Sequence, residues 1–361
     1  MPEPAPADRF GGSHADLAAV VLGGRPPRRA AMAGFLENCG WGGVTPSPLA
    51  ADASFRAYWR LRQGDRRAVV MDAPPPQEDV GAYVSVATIL HRLGLSAPEI
   101  FAEDREHGFL LIEDFGDASY NRALAAGADE SALYALAVDT LVALQHAVAA
   151  NGHMPLPPYD LTRLLDEAAL LVDWYLPALS GAVLDPELRD EYLALWRDLL
   201  PRATAPFPPT LVLRDFHIDN LMLLGDRAGV RRCGLLDFQD AVCGPPAYDL
   251  VSLVEDARRD VAPALRAAMT ERWLAAFPAV DRSAFAVSAA ILAAQRNAKI
   301  IGIFTRLWRR DGKPGYLAHI PRVWRLLEQD LAEPALAPIG RWLDRHLPPQ
   351  MRRAPDPRGL A

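Results

Sequence analysis

Cysteine is scarce in this chain, and the side chains that bind zinc do not cluster along it. Among 361 residues there are three cysteines, Cys39, Cys233 and Cys243, an odd number without paired spacing. They are typical of buried thiols in a reducing compartment and argue against a disulfide framework or a zinc site. The eight histidines form no H-E-x-x-H motif, so a zinc hydrolase has no support either.

A basic surplus and long apolar runs are also lacking. The formal net charge is −7, whereas general nucleic-acid binders usually carry a surplus of lysine and arginine. No apolar run approaches the length of a membrane span, and the N-terminus lacks the basic region and apolar core of an export signal. We therefore expect a cytoplasmic protein that binds neither nucleic acid nor membrane, while its oligomeric state stays open.

The most informative segment is a polar loop between two apolar strands. It carries Arg214-Asp215 and then Asn220, the spacing R-D-x-x-x-x-N of a kinase catalytic loop, and a third apolar strand leads into Asp237-Phe238, in place of the metal-binding D-F-G. Phosphoryl transfer needs a carboxylate to accept the proton of the attacking hydroxyl, and hard oxygen ligands for Mg²⁺. We predict Asp215 as the catalytic base and Asn220 and Asp237 as the metal ligands. Any pair of them alone would fit Asx turns better, but the three in order, framed by apolar strands, favour a kinase.

The N-terminal part is patterned like a kinase small lobe, with two departures. Alternation of apolar and polar residues on both sides of Gly64-Asp65 predicts a hairpin. A glycine-rich phosphate loop is absent at residues 51–54, and Met71 stands where a kinase has its phosphate-binding lysine. Arg56 is a candidate for the missing positive charge, and an ordinary solvated strand residue is an equally open interpretation.

Helices dominate the rest of the chain, and the order of elements indicates two lobes. A helix from Glu78 is stopped by Gly94, a buried strand leads into a candidate hinge at Glu113, and helical periodicity prevails after Asp237, beginning with a helix over 247–258. The predicted fold is α+β, a bilobal protein-kinase-like fold with a small antiparallel-sheet lobe and a larger, mainly helical lobe. The predicted boundaries are 1–27 for a flexible extension, 28–116 for a nucleotide-binding N-lobe, 117–347 for a catalytic and sugar-binding C-lobe, and 348–361 for a tail.

Several separate stretches together resemble one enzyme family. They are residues 51–56 with 70–75, the segment 108–117, the segment 236–250, and the late helix 295–307 with the turn 310–313. On these stretches the chain resembles the aminoglycoside phosphotransferase-like kinases. Within them it is most similar to the cytoplasmic amino-sugar kinases of cell-wall (peptidoglycan) recycling, which phosphorylate N-acetylmuramate and N-acetylglucosamine at the anomeric oxygen.

The resemblance implies ATP and Mg²⁺ as cofactors, a small-molecule amino sugar as substrate, and a set of site residues. Asp249 would brace the catalytic loop by accepting its hydrogen bonds, and it could equally initiate a helix. Two of the implied substrate-binding residues lie on the late helix. Their side chains would line a cleft, and the alternative is that they point to solvent. The resemblance assigns nucleotide binding to Ser54, Phe55, Arg56, Glu113 and Phe115, and substrate binding to His217, Asp240, Arg296 and Lys299.

Two other functions stay open. Phosphorylation of an aminoglycoside or another amino alcohol would need an acidic acceptor pocket, because those substrates are cationic, and Asp219 and Asp240 are candidates for it. A nucleotide-binding pseudokinase that acts as a scaffold would explain the missing glycines and lysine. The presence of Asp215, Asn220 and Asp237 argues instead for an active enzyme.

Overall fold

The computed structural model describes residues 26–49, 56–152, 154–181 and 183–357, which group into two compact units. The first unit contains the described residues up to Gly81 together with Glu99–Asp114. The second contains Ala82–Pro98 and the described residues from Phe115 onward.

An antiparallel sheet of five strands forms the centre of the first unit, and its strand order is β1-β2-β3-β5-β4. Strands β2 and β3 pair from Ala57 opposite Asp72 to Gln63 opposite Arg66, across a turn at Gly64 with a φ of +59°. This confirms the predicted hairpin. A helix, α1 (Pro26–Asn38), precedes the sheet, whose strands are β1 (Ser47–Pro48), β2 (Ala57–Gln63), β3 (Arg66–Asp72), β4 (Ile100–Asp104) and β5 (Phe109–Ile112).

The core of this unit lies between α1 and one face of the sheet. Side chains alternate between the two faces of a strand, so every second residue of β2 and β3 points to the same layer. Burying each large apolar side chain contributes about 1.5–3 kcal/mol. The buried side chains of this cluster are Phe35, Leu36, Trp41, Trp59, Leu61, Ala68, Val70, Phe109 and Leu111.

Helix α2 (Val80–Arg92) starts after an aspartate and ends at a glycine. The carboxylate of Asp79 accepts a hydrogen bond from the Gly81 N–H at 2.7 Å, and Gly94 follows the helix with a φ of +80°. From Ala82 onward the helix belongs to the second unit. There the ring of Tyr83 packs on that of Phe238 with 4.7 Å between centroids, so α2 contacts the segment that carries Asp237.

The second unit is mainly helical. Helix α4 is capped by Asp129, whose carboxylate accepts from the Ala132 N–H, and α7 by Asp185, with Pro186 in its first turn. The helices are α3 (Tyr120–Ala125), α4 (Glu130–Asn151), α5 (Leu161–Leu170), α6 (Leu176–Ser180), α7 (Pro186–Leu199), α8 (Pro201–Thr204), α9 (Ala247–Val254), α10 (Pro263–Ala276), α11 (Arg282–Arg309), α12 (Ile320–Asp330) and α13 (Ala337–His346). Helix α9 therefore ends four residues before the predicted Arg258, because Glu255 has left helical geometry.

Helix α11 is the longest helix described and packs very closely on the end of α5. A Cβ atom added to Gly302 would lie 2.3 Å from the carbonyl carbon of Leu170, so only glycine fits there without movement. At this point the chain continues from α5 through one π-helical turn, Leu171–Tyr175. The close approach brings the side chains of α5 and α11 into contact.

Helix α4 is also long and apolar enough to span a membrane by length and hydropathy alone. The apolar runs of the sequence did not identify this helix as a candidate span. Half of its most apolar 18-residue window is buried inside the structure, among residues such as Leu133, Val138, Leu141 and Leu144. That burial is typical of a core helix. Together with the small antiparallel sheet, the helices confirm the predicted α+β class.

Candidate active site

Two short antiparallel pairs of strands hold the predicted catalytic segments. The strands are β6 (Thr210–Val212), β7 (Leu221–Leu223), β8 (Cys233–Leu235) and β9 (Val242–Gly244), with β6 paired to β9 and β7 to β8. Asp215 and Asn220 lie in the loop between β6 and β7, and Asp237 follows β8. The Leu236 N–H donates to the Asn220 carbonyl at 3.0 Å, which ties the two segments together. All three predicted residues are therefore carried by one small framework.

Asp249 braces the catalytic loop. Its two carboxylate oxygens accept from the backbone N–H groups of Leu213 at 2.6 Å and Arg214 at 2.9 Å. Arg214 has a φ of +72°, a conformation that residues other than glycine seldom adopt, so the brace holds a sharp bend directly before Asp215. Burial raises the pKa of Asp249 to about 7, against the opposing effect of these two backbone hydrogen bonds. Asp249 also lies in the first turn of α9, so both interpretations of this residue fit the geometry.

Asp237 and Asn220 present oxygen atoms suited to a hard cation. Asp237 has a φ of +54°, and its Oδ1 accepts from Gln239 Nε2 at 2.9 Å. The amide nitrogen of Asn220 donates to the Asp215 carbonyl at 3.0 Å, so its Oδ1 is the end left for a metal. In the part of the chain that the structure describes, no three or more His, Cys, Asp or Glu side chains converge as a metal site. A carboxylate and an amide fit Mg²⁺ that is held jointly with substrate phosphates.

The surroundings of Asp215 favour its ionised form. Burial raises the pKa of this half-buried carboxyl, but the positive charges of Lys299, Arg214 and Arg296 together bring the pKa below its ordinary value. Asp215 is therefore a carboxylate at neutral pH. That is the form in which it can accept a proton or a hydrogen bond from an attacking hydroxyl.

His217 is a buried residue of the same loop and is in its neutral form. Its Nε2 lies 3.4 Å from Asn220 Nδ2 and 3.5 Å from Arg258 Nη1, both of them donor groups. Nε2 must then be the acceptor, so the proton is on Nδ1, which has no hydrogen-bond partner among the described residues. Burial lowers the pKa of His217, in agreement with this neutral tautomer.

Glu167, which the sequence reasoning missed, organises the cations next to Asp215. Its Oε1 accepts from Lys299 Nζ at 2.9 Å and from the Arg214 guanidinium, while its Oε2 accepts from the Tyr159 hydroxyl. Burial raises the pKa of Glu167, but Lys299 and Arg214 lower it to about 2. One signal was available. Glu167 lies three residues after Leu164 on the buried face of α5, where an unpaired carboxylate would be costly.

The predicted substrate-binding residues have different surroundings. The Lys299 ammonium is buried, bound to Glu167 and 3.4 Å from the Tyr248 hydroxyl. Arg296 is also buried and donates to the Glu255 carbonyl at 3.2 Å. Asp240 is exposed and accepts from Gln239 at 3.2 Å. Of these, Lys299 and Arg296 are close enough to influence the charge of Asp215, so the late helix faces the catalytic loop rather than solvent.

The predicted nucleotide-binding residues are divided between the two units. In the first, Arg56 is buried and pairs with Glu78 at 3.8 Å, while the Glu113 N–H donates to the Glu99 carbonyl at 2.8 Å. In the second, the Phe115 ring lies under the guanidinium of Arg227, 5.0 Å from it, and packs against Gly234. Two further predicted residues, Ser54 and Phe55, lie outside the described residues. Met71 is buried within β3.

A family model and individual relatives both relate this chain to phosphoryl-transferring enzymes. The model of a family described as the phosphotransferase enzyme family matches residues 45–285. A relative named N-acetylmuramate/N-acetylglucosamine kinase from Caulobacter vibrioides is 38% identical over 359 residues, which cover 90% of this chain and 98% of that protein. A protein of the same name from Pseudomonas aeruginosa is 42% identical over 333 residues, covering 86% and 94%.

Solved structures share the fold at low sequence identity. The choline kinase LicA from Streptococcus pneumoniae has a TM-score of 0.60 at 11% identity and covers 84% of this chain and 99% of its own. The ADP-bound aminoglycoside phosphotransferase APH(2'')-Ib has a TM-score of 0.55 at 14% identity, covering 84% and 97%. These likenesses concern the fold alone, and they confirm the predicted bilobal, protein-kinase-like architecture.

Proposed function

The chain belongs to the phosphotransferase enzyme family, and from that premise we propose that it is an ATP-dependent kinase of N-acetylmuramate and N-acetylglucosamine. The phosphoryl group would go to the anomeric hydroxyl at C1 of these amino sugars, a reaction that fits the recycling of cell-wall material. The relatives of that name align with the chain over most of its length. The single observation that carries the proposal is an ionised Asp215 on a braced loop that also carries Asn220, with buried cations close enough to lower its pKa.

In the proposed mechanism Asp215 accepts the proton of the C1 hydroxyl. A hydroxyl at an anomeric carbon is more acidic than an ordinary alcohol, so a carboxylate with a depressed pKa is a sufficient base. Asp249 keeps this carboxylate in position by fixing the backbone immediately before it. Asn220 and Asp237 would hold Mg²⁺, which when bound offsets charge on the phosphates.

Nucleotide binding is proposed for the residues implied by the sequence. Ser54, Phe55, Arg56, Glu113 and Phe115 would contact ATP. Because ATP is an intracellular metabolite, we propose a cytoplasmic location as well.

The charges around the catalytic loop favour an amino sugar over an aminoglycoside. Lys299, Arg214 and Arg296 all lie close enough to Asp215 to lower its pKa. A polycationic acceptor would meet repulsion from such a group, whereas a neutral or anionic sugar would not. Asp240 is exposed, and Asp219 accepts from Asn121 and lies 3.9 Å from the Arg258 guanidinium, so the two do not make an acidic pocket. The ionised Asp215 also counts against a scaffold without catalytic activity.

An acceptor panel tests the proposal directly. The full chain is incubated with ATP and Mg²⁺ and either N-acetylmuramate, N-acetylglucosamine or an aminoglycoside, and products are identified by ³¹P NMR. We expect a sugar 1-phosphate from both amino sugars. Asp215→Asn and Asp237→Ala should each lower kcat/KM by about 10²–10⁴-fold. Glu271→Gln, a change at a surface pair with Arg282, is the matched control. Phosphorylation of the aminoglycoside alone, or full activity in Asp215→Asn, would refute the proposal.

A further inference from the structure

Arg258 is a partly exposed cation at the edge of the catalytic loop. Its side chain is 35% exposed and lies in the loop that follows α9. Within the described part of the chain, the shortest polar contacts of its side chain are 3.5 Å to His217 Nε2 and 3.9 Å to Asp219 Oδ2. Both distances are long for a guanidinium, which forms strong pairs at about 2.7–2.9 Å. Arg258 therefore has donor capacity that the protein itself hardly uses.

The backbone of Arg258 is held firmly, in contrast to its side chain. The Arg258 N–H donates to Asp256 Oδ1 at 2.8 Å, and the Arg258 carbonyl accepts from Arg322 Nη1 at 3.0 Å. Arg322 is itself fixed by two hydrogen bonds to Asp260, at 2.9 and 3.1 Å. The guanidinium of Arg258 also lies 5.9 Å from the centre of the Phe304 ring. A positioned but weakly paired guanidinium of this kind suits an anionic ligand.

The other cations near Asp215 are already engaged. Lys299 and Arg214 both bind Glu167, and Arg296 donates to the Glu255 carbonyl. All of these are more deeply buried than Arg258. A negatively charged group on an acceptor bound at this loop would therefore find its best available partner in Arg258.

The geometry also connects Arg258 to the reacting end of the loop. His217 Nε2 lies between the Arg258 guanidinium and the amide nitrogen of Asn220, one of the predicted metal ligands. N-acetylmuramate differs from N-acetylglucosamine by a lactyl ether on O3. The ether is attached to C3, two carbons from the anomeric carbon, and it ends in a carboxylate. A sugar with its C1 hydroxyl at Asp215 can thus extend this carboxylate along the loop towards Arg258.

We propose that Arg258 binds the lactyl carboxylate of N-acetylmuramate and sets the preference for this sugar over N-acetylglucosamine. The inference rests on the proposed function. A carboxylate can form two parallel hydrogen bonds with a guanidinium, and it would replace the long contact to Asp219. Asp219 remains held by Asn121 Nδ2 at 2.8 Å, so it has another partner when Arg258 turns to the ligand.

The test compares two substrates in one enzyme. We measure kcat/KM for N-acetylmuramate and for N-acetylglucosamine in the wild type, in Arg258→Ala and in Arg258→Lys, and take their ratio. Arg258→Ala should lower the ratio by about ten- to hundredfold, the effect of losing one charge-assisted interaction, mainly through the KM of N-acetylmuramate. Arg258→Lys should restore part of it. Arg259→Ala, which removes the neighbouring guanidinium paired with Glu130 at 2.7 Å, should leave the ratio unchanged.

A second acceptor separates recognition of charge from a structural role. The methyl ester of N-acetylmuramate keeps the lactyl group but lacks its charge, so its kcat/KM relative to that of N-acetylglucosamine should not respond to Arg258→Ala. An equal loss for every acceptor, with an unchanged ratio, would overturn the inference and leave the proposed function intact. If the wild type phosphorylates neither sugar, the proposed function fails first.

Discussion

Two buried groups of carboxylates contact the same helix, α11, and they have opposite ionisation behaviour. Glu167 faces Lys299 and Arg214, and its pKa falls to about 2. Glu255 and Asp330 both accept from a single amide nitrogen, Asn297 Nδ2, at 2.9 Å each, and the pKa of each is raised. Both groups are desolvated, so burial alone does not explain the difference.

The supply of positive charge explains it. One carboxylate and two cations meet at Glu167, so ionisation is favoured there. At the second group two carboxyls meet one arginine, Arg266, whose Nη1 lies 3.3 Å from Glu255 Oε1. Burial raises both pKa values, and the two carboxyls repel each other when both are charged, so the pair loses its second proton only at a higher pH than ordinary carboxyls do. The Glu167 group lies beside the predicted catalytic loop. The pair formed by Glu255 and Asp330 is connected to that loop through Arg296, which donates to the Glu255 carbonyl.

Glu167→Gln should break the charged side of this comparison and have the largest effect. The variant keeps the size of the side chain but leaves Lys299 and Arg214 buried without a counter-charge. Breaking a buried ion pair in this way costs about 3–5 kcal/mol. The free energy of unfolding, measured with urea at pH 7, checks this expectation.

The matched control is Glu271→Gln, whose partner Arg282 is well exposed. Surface pairs contribute about 0–1 kcal/mol, so the control should stay close to the wild type. If Glu167→Gln were as stable as this control, the Glu167 cluster would not contribute to stability as inferred.

What could be predicted from the sequence is local in character. The strands that frame Asp215, Asn220 and Asp237 could be predicted because apolar runs flank polar residues there, and the hairpin at Gly64 because alternation stops at a turn. The end of α9 was misplaced, since it depends on tertiary contacts. Asp256 accepts from the Arg258 N–H, and Arg322 of the distant helix α12 donates to the Arg258 carbonyl. Periodicity contains no information about such partners.

The pairing of the buried charges could not be predicted for the same reason. Glu167 and Lys299 are separated by 132 positions, and Asn297 and Asp330 by 33. The sequence shows that Lys299 is a polar residue on an apolar helix. It does not identify the acidic residue on another helix with which Lys299 pairs. That choice is made by packing, for example by the close approach of α11 to α5 at Gly302.

The stability that the Glu167 cluster provides should depend on pH in the acid range. The expected effect is intermediate in size between those of the other two predictions. Because the folded-state pKa of Glu167 lies below its ordinary value of 4.5, its stabilisation is complete above that pH and is lost as the pH falls towards 2. The stability difference between the wild type and Glu167→Gln should therefore shrink by about 2 kcal/mol between neutral pH and about pH 3. Urea titrations of both proteins over this range measure it. A difference that stays constant would show that Glu167 is not ionised in the fold.

Asp330→Asn should have the smallest effect and the opposite pH dependence. Because the pKa of Asp330 is raised well above its ordinary value of 3.8, a neutral amide at position 330 replaces a group that favours its neutral form in the fold. Its oxygen can still accept from Asn297, and its nitrogen can donate to Glu255. We expect a change of less than about 1 kcal/mol in the free energy of unfolding at a pH below 3.8, where the acid is protonated in both the folded and the unfolded chain, whereas Asp330→Ala should cost about 1–3 kcal/mol there because a buried amide loses its acceptor. An acid with a raised pKa contributes stability below its ordinary value and loses it as the pH rises through the folded-state value. Asp330→Asn should accordingly gain stability relative to the wild type as the pH increases. A loss as large as that of Glu167→Gln, or a relative stability that falls with pH, would mean that both carboxyls are ionised and held by Arg266, and the contrast between the two groups would disappear.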